Sequence, residues 1–124
     1  NFLLPDYQTI SNLHSYEISG GMAQRLSLMF AMFSNPKLLI LDEPTSAIDY
    51  ANINLIKLKL MDFKKTGGSV LIVTQDINFA KEISDQIAFL QDGEVSEFIN
   101  SSFFFSDSIQ KPYSGFLQSF NELQ

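Results

Sequence analysis

Leu38-Leu39-Ile40-Leu41-Asp42-Glu43-Pro44-Thr45-Ser46-Ala47-Ile48-Asp49 is the stretch on which the fold of this chain turns. A short, wholly apolar run from Leu38 to Leu41 predicts a buried strand. That strand delivers two adjacent carboxylates, Asp42 and Glu43, to its carboxyl end, where open α/β sheets gather ligands because the loops are free and the sheet fixes their position. An acidic pair so placed can hold the water shell of a magnesium ion and orient or deprotonate an attacking water. In isolation the same pair reads as an ordinary acidic turn, so the flanking segments decide.

Upstream, Met22, Leu26, Met29, Phe30 and Phe33 recur at three- and four-residue steps, which predicts a helix from Ser19 to Phe33 with that stripe inward. Ser19 is suited to cap it, its hydroxyl accepting from a first-turn amide. Asn35-Pro36 ends it. Downstream, a helix over 52–65 has the apolar stripe Ile53, Ile56, Leu60 and Phe63, with Lys57, Lys59, Lys64 and Lys65 solvated, and stops at Gly67-Gly68.

Val70 to Val73 predicts a second strand, followed by a helical pattern through Ile77, Ala80 and Ile83. Two strands, about 86–91 and 94–98, are expected on either side of Asp92-Gly93, a pair that tolerates the positive φ of a tight hairpin turn. Apolar strands alternating with helices imply parallel pairing with both faces covered, hence an α/β fold. Residues 1–17 allow a short helical piece. Phe103 to Phe105 are expected in the core, and Pro112 to Leu123 to close the chain as a helix with Phe116, Leu117 and Phe120 inward.

The 124 residues suit one domain with a real core. Hydrophobic residues at 45% and charged residues at 18% match a folded globular chain and not a disordered one. Fourteen acidic against eight basic residues leave a net charge of -6, a field that repels phosphate backbones, so nucleic acid is not an expected partner. Without cysteine there is neither disulfide nor thiolate metal site, and the single His14 cannot build a histidine cluster. No apolar run reaches the roughly 18 residues that span a bilayer. The chain begins at Asn1 rather than methionine, so further sequence is expected upstream.

Ile18-Ser19-Gly20-Gly21-Met22, the helix ending at Asn35-Pro36-Lys37, and Leu38 to Asp49 together resemble the ABC ATPase family. They correspond to a signature close to L-S-G-G-Q, a Walker B strand and a D-loop close to S-A-L-D. The resemblance covers roughly 17–98 and implies that 1–124 are the C-terminal part of one such P-loop NTPase domain, with parallel strands, flanking helices and a C-terminal hairpin. It implies ATP and Mg2+ as ligands: Ser19, Gly20 and Gly21 against the γ-phosphate held by a second ATPase subunit in a head-to-tail dimer, Asp42 on magnesium through water, Glu43 as general base, and Asp49 in the loop crossing the dimer interface. Serine and two glycines at a helix start suit an anion on physical grounds, offering a hydroxyl, unobstructed amides and the positive helix end. Transmembrane permease subunits would be the other partners, placing the chain on the cytoplasmic face of the membrane. The segments 78–85, Gly93-Glu94 and 113–117 are similar to importers of polar amino acids.

Several positions depart from that pattern. Gln75, in Val73-Thr74-Gln75-Asp76, stands where the family carries a catalytic histidine; it can donate a hydrogen bond to phosphate but cannot become a cation. Met22 replaces the signature glutamine. No G-x-x-x-x-G-K-[ST] occurs and no glycine precedes lysine, so the phosphate cradle is absent from these residues. Hydrolysis by this fragment alone is therefore not expected, and the alternative is a non-catalytic remnant or regulatory half-subunit that docks on an intact ATPase.

Overall fold

The computed structural model describes residues 4, 6–46 and 48–106. They divide into two compact units between Asp76 and Ile77. The closing helix expected over 112–123 lies outside the described residues.

The first unit is built on one β-α-β crossover. Strand β1 (Leu38–Asp42) and strand β2 (Ser69–Val73) pair in parallel, in register from Leu38 opposite Ser69 to Asp42 opposite Val73. Between them runs a long helix (Tyr50–Lys65), numbered α3 because α1 (Tyr7–Ser11) and α2 (Gly20–Phe33) precede it. Three of the four predicted stripe residues are buried, Ile56 and Leu60 at 1% and 0% exposed and Phe63 with them, while Ile53 is half-buried. Burying one such side chain stabilises the fold by about 1.5–3 kcal/mol. Of the four lysines expected in solvent, Lys65 is exposed, Lys59 and Lys64 are half-buried and Lys57 is buried.

The end of α3 shows why two glycines follow it. Gly67 adopts φ +92°, a left-handed turn that costs glycine nothing. At Gly68 a Cβ would come within 2.2 Å of the Phe63 ring, so the chain passes over a core aromatic where no side chain fits.

Two expectations are corrected here. Wholly apolar runs imply strands covered on both faces, but these strands alternate. Leu39 is buried and Leu41, Val70 and Ile72 half-buried, whereas Leu38, Ile40, Leu71 and Val73 point to an open apolar face, with Ile40 68% exposed. Continuous hydrophobicity states that both faces tolerate apolar residues; it does not say that both are covered within these residues. The stripe of α2 was also misplaced. Arg25 and Leu28 are its buried residues, while Phe33 is 87% exposed and Phe30 is exposed too. A helix carrying apolar residues nearly all round has no unique stripe to read.

The described residues of the second unit form α4 (Ile77–Ile83), four short strands and α5 (Ser101–Phe104). Phe79 and Ile83 are the buried residues of α4. The expected strand 86–91 is two pieces, β3 (Gln86–Ile87) and β4 (Leu90–Gln91), which pair with different partners, and of the expected strand 94–98 only Glu94 and Val95 are extended in a ladder. The β4 strand forms a hairpin with β5 (Glu94–Val95), and Asp92 and Gly93 both take positive φ, 53° and 83°, as the two-residue turn requires. The β3 strand pairs antiparallel with β6 (Ile99–Asn100). Of the phenylalanine triplet only Phe104 is buried; Phe103 is exposed and Lys81 lies 5.7 Å from the Phe105 ring centroid. The core expectation thus holds for one of the three.

Candidate functional site

The parallel register brings the carboxyl ends of β1 and β2 side by side, and Glu43 bridges them. Its amide donates to the Val73 carbonyl at 2.9 Å, extending the ladder by one rung. Its side chain then turns onto the other strand's end: Oε1 accepts from the Gln75 amide at 2.9 Å and Oε2 from the Thr74 hydroxyl at 3.1 Å. The carboxylate is held by two donors, while an ionised carboxylate offers about four acceptor positions in all. Lone pairs remain for a water.

The main chain at Glu43 is unusual. Its φ is +42°, a left-handed conformation that costs an L-residue other than glycine about 1–2 kcal/mol. Strain of this kind persists only where surrounding contacts overdetermine it. They do so here through the Glu43 carbonyl, which accepts from Gln24 Nε2 on α2 at 2.7 Å and from the Ser46 hydroxyl and amide at 3.1 and 3.2 Å.

Around this centre, the Asp76 amide donates to the Thr74 hydroxyl at 3.0 Å, and the buried Thr45 hydroxyl donates to Asp76 at 3.4 Å. The loops after β1 and β2 are therefore cross-linked by Glu43, Thr74, Asp76 and Thr45. Gln75 takes part through its backbone amide, a contribution that does not depend on which side chain it carries. Asp42, the last residue of β1, is exposed beside Glu43.

The start of α2 carries the predicted cap. Ser19 is the N-cap, its hydroxyl accepting from the Met22 amide at 3.2 Å, and no acidic residue lies in the first turn. Gly20 and Gly21 open the helix. Gln24 lies on the same helix, so about 7.5 Å of axis separates the cap from the residue that touches Glu43. The structure thus connects Ser19–Gly21 and Glu43 through one rigid element.

Asp49 caps α3, accepting from the Asn52 amide at 3.0 Å and the Asn52 side chain at 2.6 Å. These bonds, the side-chain one foremost, hold its carboxyl below the usual aspartate value, with a further pull from the Arg25 guanidinium. Arg25 is buried and its Nε has no hydrogen-bond partner among the described residues. His14 stacks on Tyr16 with ring centroids 5.2 Å apart, a contact between near neighbours in the chain.

Among the described residues no group of three His, Cys, Asp or Glu side chains stands ready to hold a metal. One exposed carboxylate, Asp42, fits a different kind of ion, since magnesium usually keeps several waters and takes only one or two carboxylates beside phosphate oxygens.

Sequence reasoning missed Gln24, Thr74, Thr45 and Asp76. Thr74 carried a signal, as a hydroxyl at a strand end beside a singled-out residue. Gln24 carried none, because its partner lies 19 positions away.

Comparison with known proteins agrees with this geometry. The sequence model described as ABC transporter matches residues 4–46. The chain is 33% identical over 107 residues to the arginine transport ATP-binding protein ArtM of Bacillus subtilis, covering 86% of this chain and 45% of that protein. It is 32% identical over 107 residues to the glutamine transport ATP-binding protein GlnQ of Geobacillus stearothermophilus, covering 86% and 44%. Among solved structures it is similar to an ATP-binding cassette captured as a dimer in a post-hydrolysis state with ADP and Pi. The TM-score there is 0.64 at 33% identity, over 76% of this chain and 40% of that one. The chain spans less than half the length of these curated relatives.

A parallel β-α-β unit with its acidic residues at the strand ends, superposable on part of these cassettes, defines a partial α/β domain of the P-loop NTPase class. Within that class, and over the part it shares with them, the chain is similar to the ATP-binding proteins of ABC transporters. No helix among the described residues is long and apolar enough to cross a membrane.

Proposed function

We propose that the chain is the C-terminal part, 1–124, of an ATP-hydrolysing subunit that energises an ABC transporter, one for uptake of polar amino acids. The observation that carries this reading is the Glu43 carboxylate held between the ends of β1 and β2 with acceptor capacity left for a water. In this reading Glu43 is the general base, and Thr74 and the Gln75 amide aim it. Asp42 holds magnesium through water. Magnesium supplies charge neutralisation on the phosphates of ATP. Ser19, Gly20 and Gly21 offer the start of α2 to phosphate oxygens. Asp49, fixed as the α3 cap, stands at the interface with a second ATPase subunit packed head-to-tail. The names of ArtM and GlnQ support the amino-acid class. The transmembrane permease would hold the chain on the cytoplasmic face of the membrane.

Gln75 favours a second reading, a docked half-subunit without catalysis of its own, because its side chain cannot become a cation or relay a proton as an imidazole can. One experiment separates the two. The tagged chain is isolated from its own cells with the permease and assayed for Mg-ATP hydrolysis. Substituting Glu43→Gln should lower kcat by about 100-fold or more, the usual contribution of a positioned base. Hydrolysis indifferent to that change would overturn the catalytic reading in favour of the docked one.

A further inference from the structure

We infer that Gln24 is a positioning residue for Glu43: its side-chain amide, fixed on α2, holds the Glu43 carbonyl and so sets the backbone that aims the carboxylate. The inference rests on the proposed role of Glu43, but its geometry stands on its own.

The need for an outside hold follows from the sequence at the turn. Glu43 precedes Pro44, and a residue before proline is pushed towards extended backbone, yet Glu43 has φ +42°. Pro44 is buried and carries no N–H, so the peptide joining the two offers only the Glu43 carbonyl by which it can be held. Ser46 reaches that oxygen from within the same turn, at 3.1 and 3.2 Å, and moves with it. Gln24 reaches it at 2.7 Å from a separate 14-residue helix and is the shortest of the three. A local bond keeps a turn's shape, whereas a bond from another element fixes where the turn points. Because Ser19 caps the same helix, a displacement of its start on anion binding would be felt at Glu43 through Gln24.

Asn35 makes the contrast visible. It too precedes a proline and has positive φ, 49°, but asparagine tolerates that region. Glutamate has no such tolerance, and Glu43 is the one of the two that a distant side chain secures.

The test uses the full chain, isotope-labelled, with Glu43 Cα and Cβ chemical shifts and Ser46 amide exchange as readouts. In Gln24→Ala the Glu43 shifts should leave left-handed values, and Ser46 exchange should quicken about fivefold, the worth of one ordinary hydrogen bond. Far-UV circular dichroism should show α2 intact. In Gln24→Glu the new carboxylate cannot donate at neutral pH and should mimic the alanine variant. Below about pH 4 the protonated acid can donate, and the Glu43 shifts should return to those of the parent chain at the same pH. A side chain that merely fills space gives no such pH-dependent rescue. Glu43 shifts unmoved in Gln24→Ala, or insensitive to pH in Gln24→Glu, would overturn the inference. Should Gln24→Ala fail to fold, the Gln24→Glu pH series decides. Shifts that follow residue 24 in a chain whose assembled ATPase ignores Glu43→Gln would leave the positioning intact and remove only the catalytic role of Glu43.

Discussion

Helices α2 and α3 start alike and are used differently. Each begins with an N-cap side chain that accepts from the amide three residues on, Ser19 from Met22 and Asp49 from Asn52. In α3 the cap is an anion, so the positive helix end is already answered from within, and the helix is anchored by Ile56, Leu60 and Phe63 in the core. In α2 the cap is neutral, no acid follows in the first turn, and only Arg25 and Leu28 are buried. The difference teaches that one helix end answers its own positive pole while the other leaves it open. The open end at Ser19 is the one that the proposed anion contact would need.

The largest expected effect tests the anchoring side of this contrast. Leu60→Ala removes a fully buried side chain from α3 and should lower stability by about 2–5 kcal/mol in chemical denaturation. A loss under 1 kcal/mol would mean that α3 is no better anchored than the mostly uncovered α2.

Next comes the neutral cap. Ser19→Asp keeps an N-cap acceptor but puts a charge where the anion would sit. Repulsion of about 1–4 kcal/mol at contact distance should weaken phosphate binding to the chain at low ionic strength by roughly fivefold or more. Unchanged affinity in a calorimetric titration would show that the start of α2 is not the anion seat.

The smallest effect concerns the charged cap. Because the Asp49 carboxyl is held below its ordinary value in the folded chain, its contribution is present above the ordinary aspartate range and is lost as pH falls through the folded value. Asparagine is also a good cap, so Asp49→Asn should leave Tm at pH 7 nearly unchanged and flatten its decline below about pH 4. Asp6, likewise held low by its bonds to Thr9, keeps part of the acid sensitivity in place. Identical acid melting of the variant and the parent would remove the charge distinction between the two helix ends.

Much of the fold was legible because it is local. Ser19 and Asn35-Pro36 bound α2, Gly67 and Gly68 end α3, and Asp92-Gly93 form the hairpin turn, each through a constraint that acts within a few residues. What escaped was tertiary. The buried side of α2 could not be chosen when Met22, Phe30 and Phe33 compete with Leu28, and the exposure of Ile40 and Val73 depends on what lies over the sheet. The same holds for the site. Asp42 and Glu43 were readable as a strand-end pair, but that Glu43 would lean across to Thr74 and Gln75 depends on the β1–β2 register, and the grip of Gln24 on a bond between distant positions.

The dihedral of Glu43 sets two demands on this molecule against each other. Glycine at 43 would relax the turn but delete the two hydrogen bonds that reach across to the end of β2; asparagine would ease the backbone with too short an arm. Neither change separates the strain from the reach, because one residue carries both. Screens of this region should therefore be read with stability and the proposed activity measured side by side.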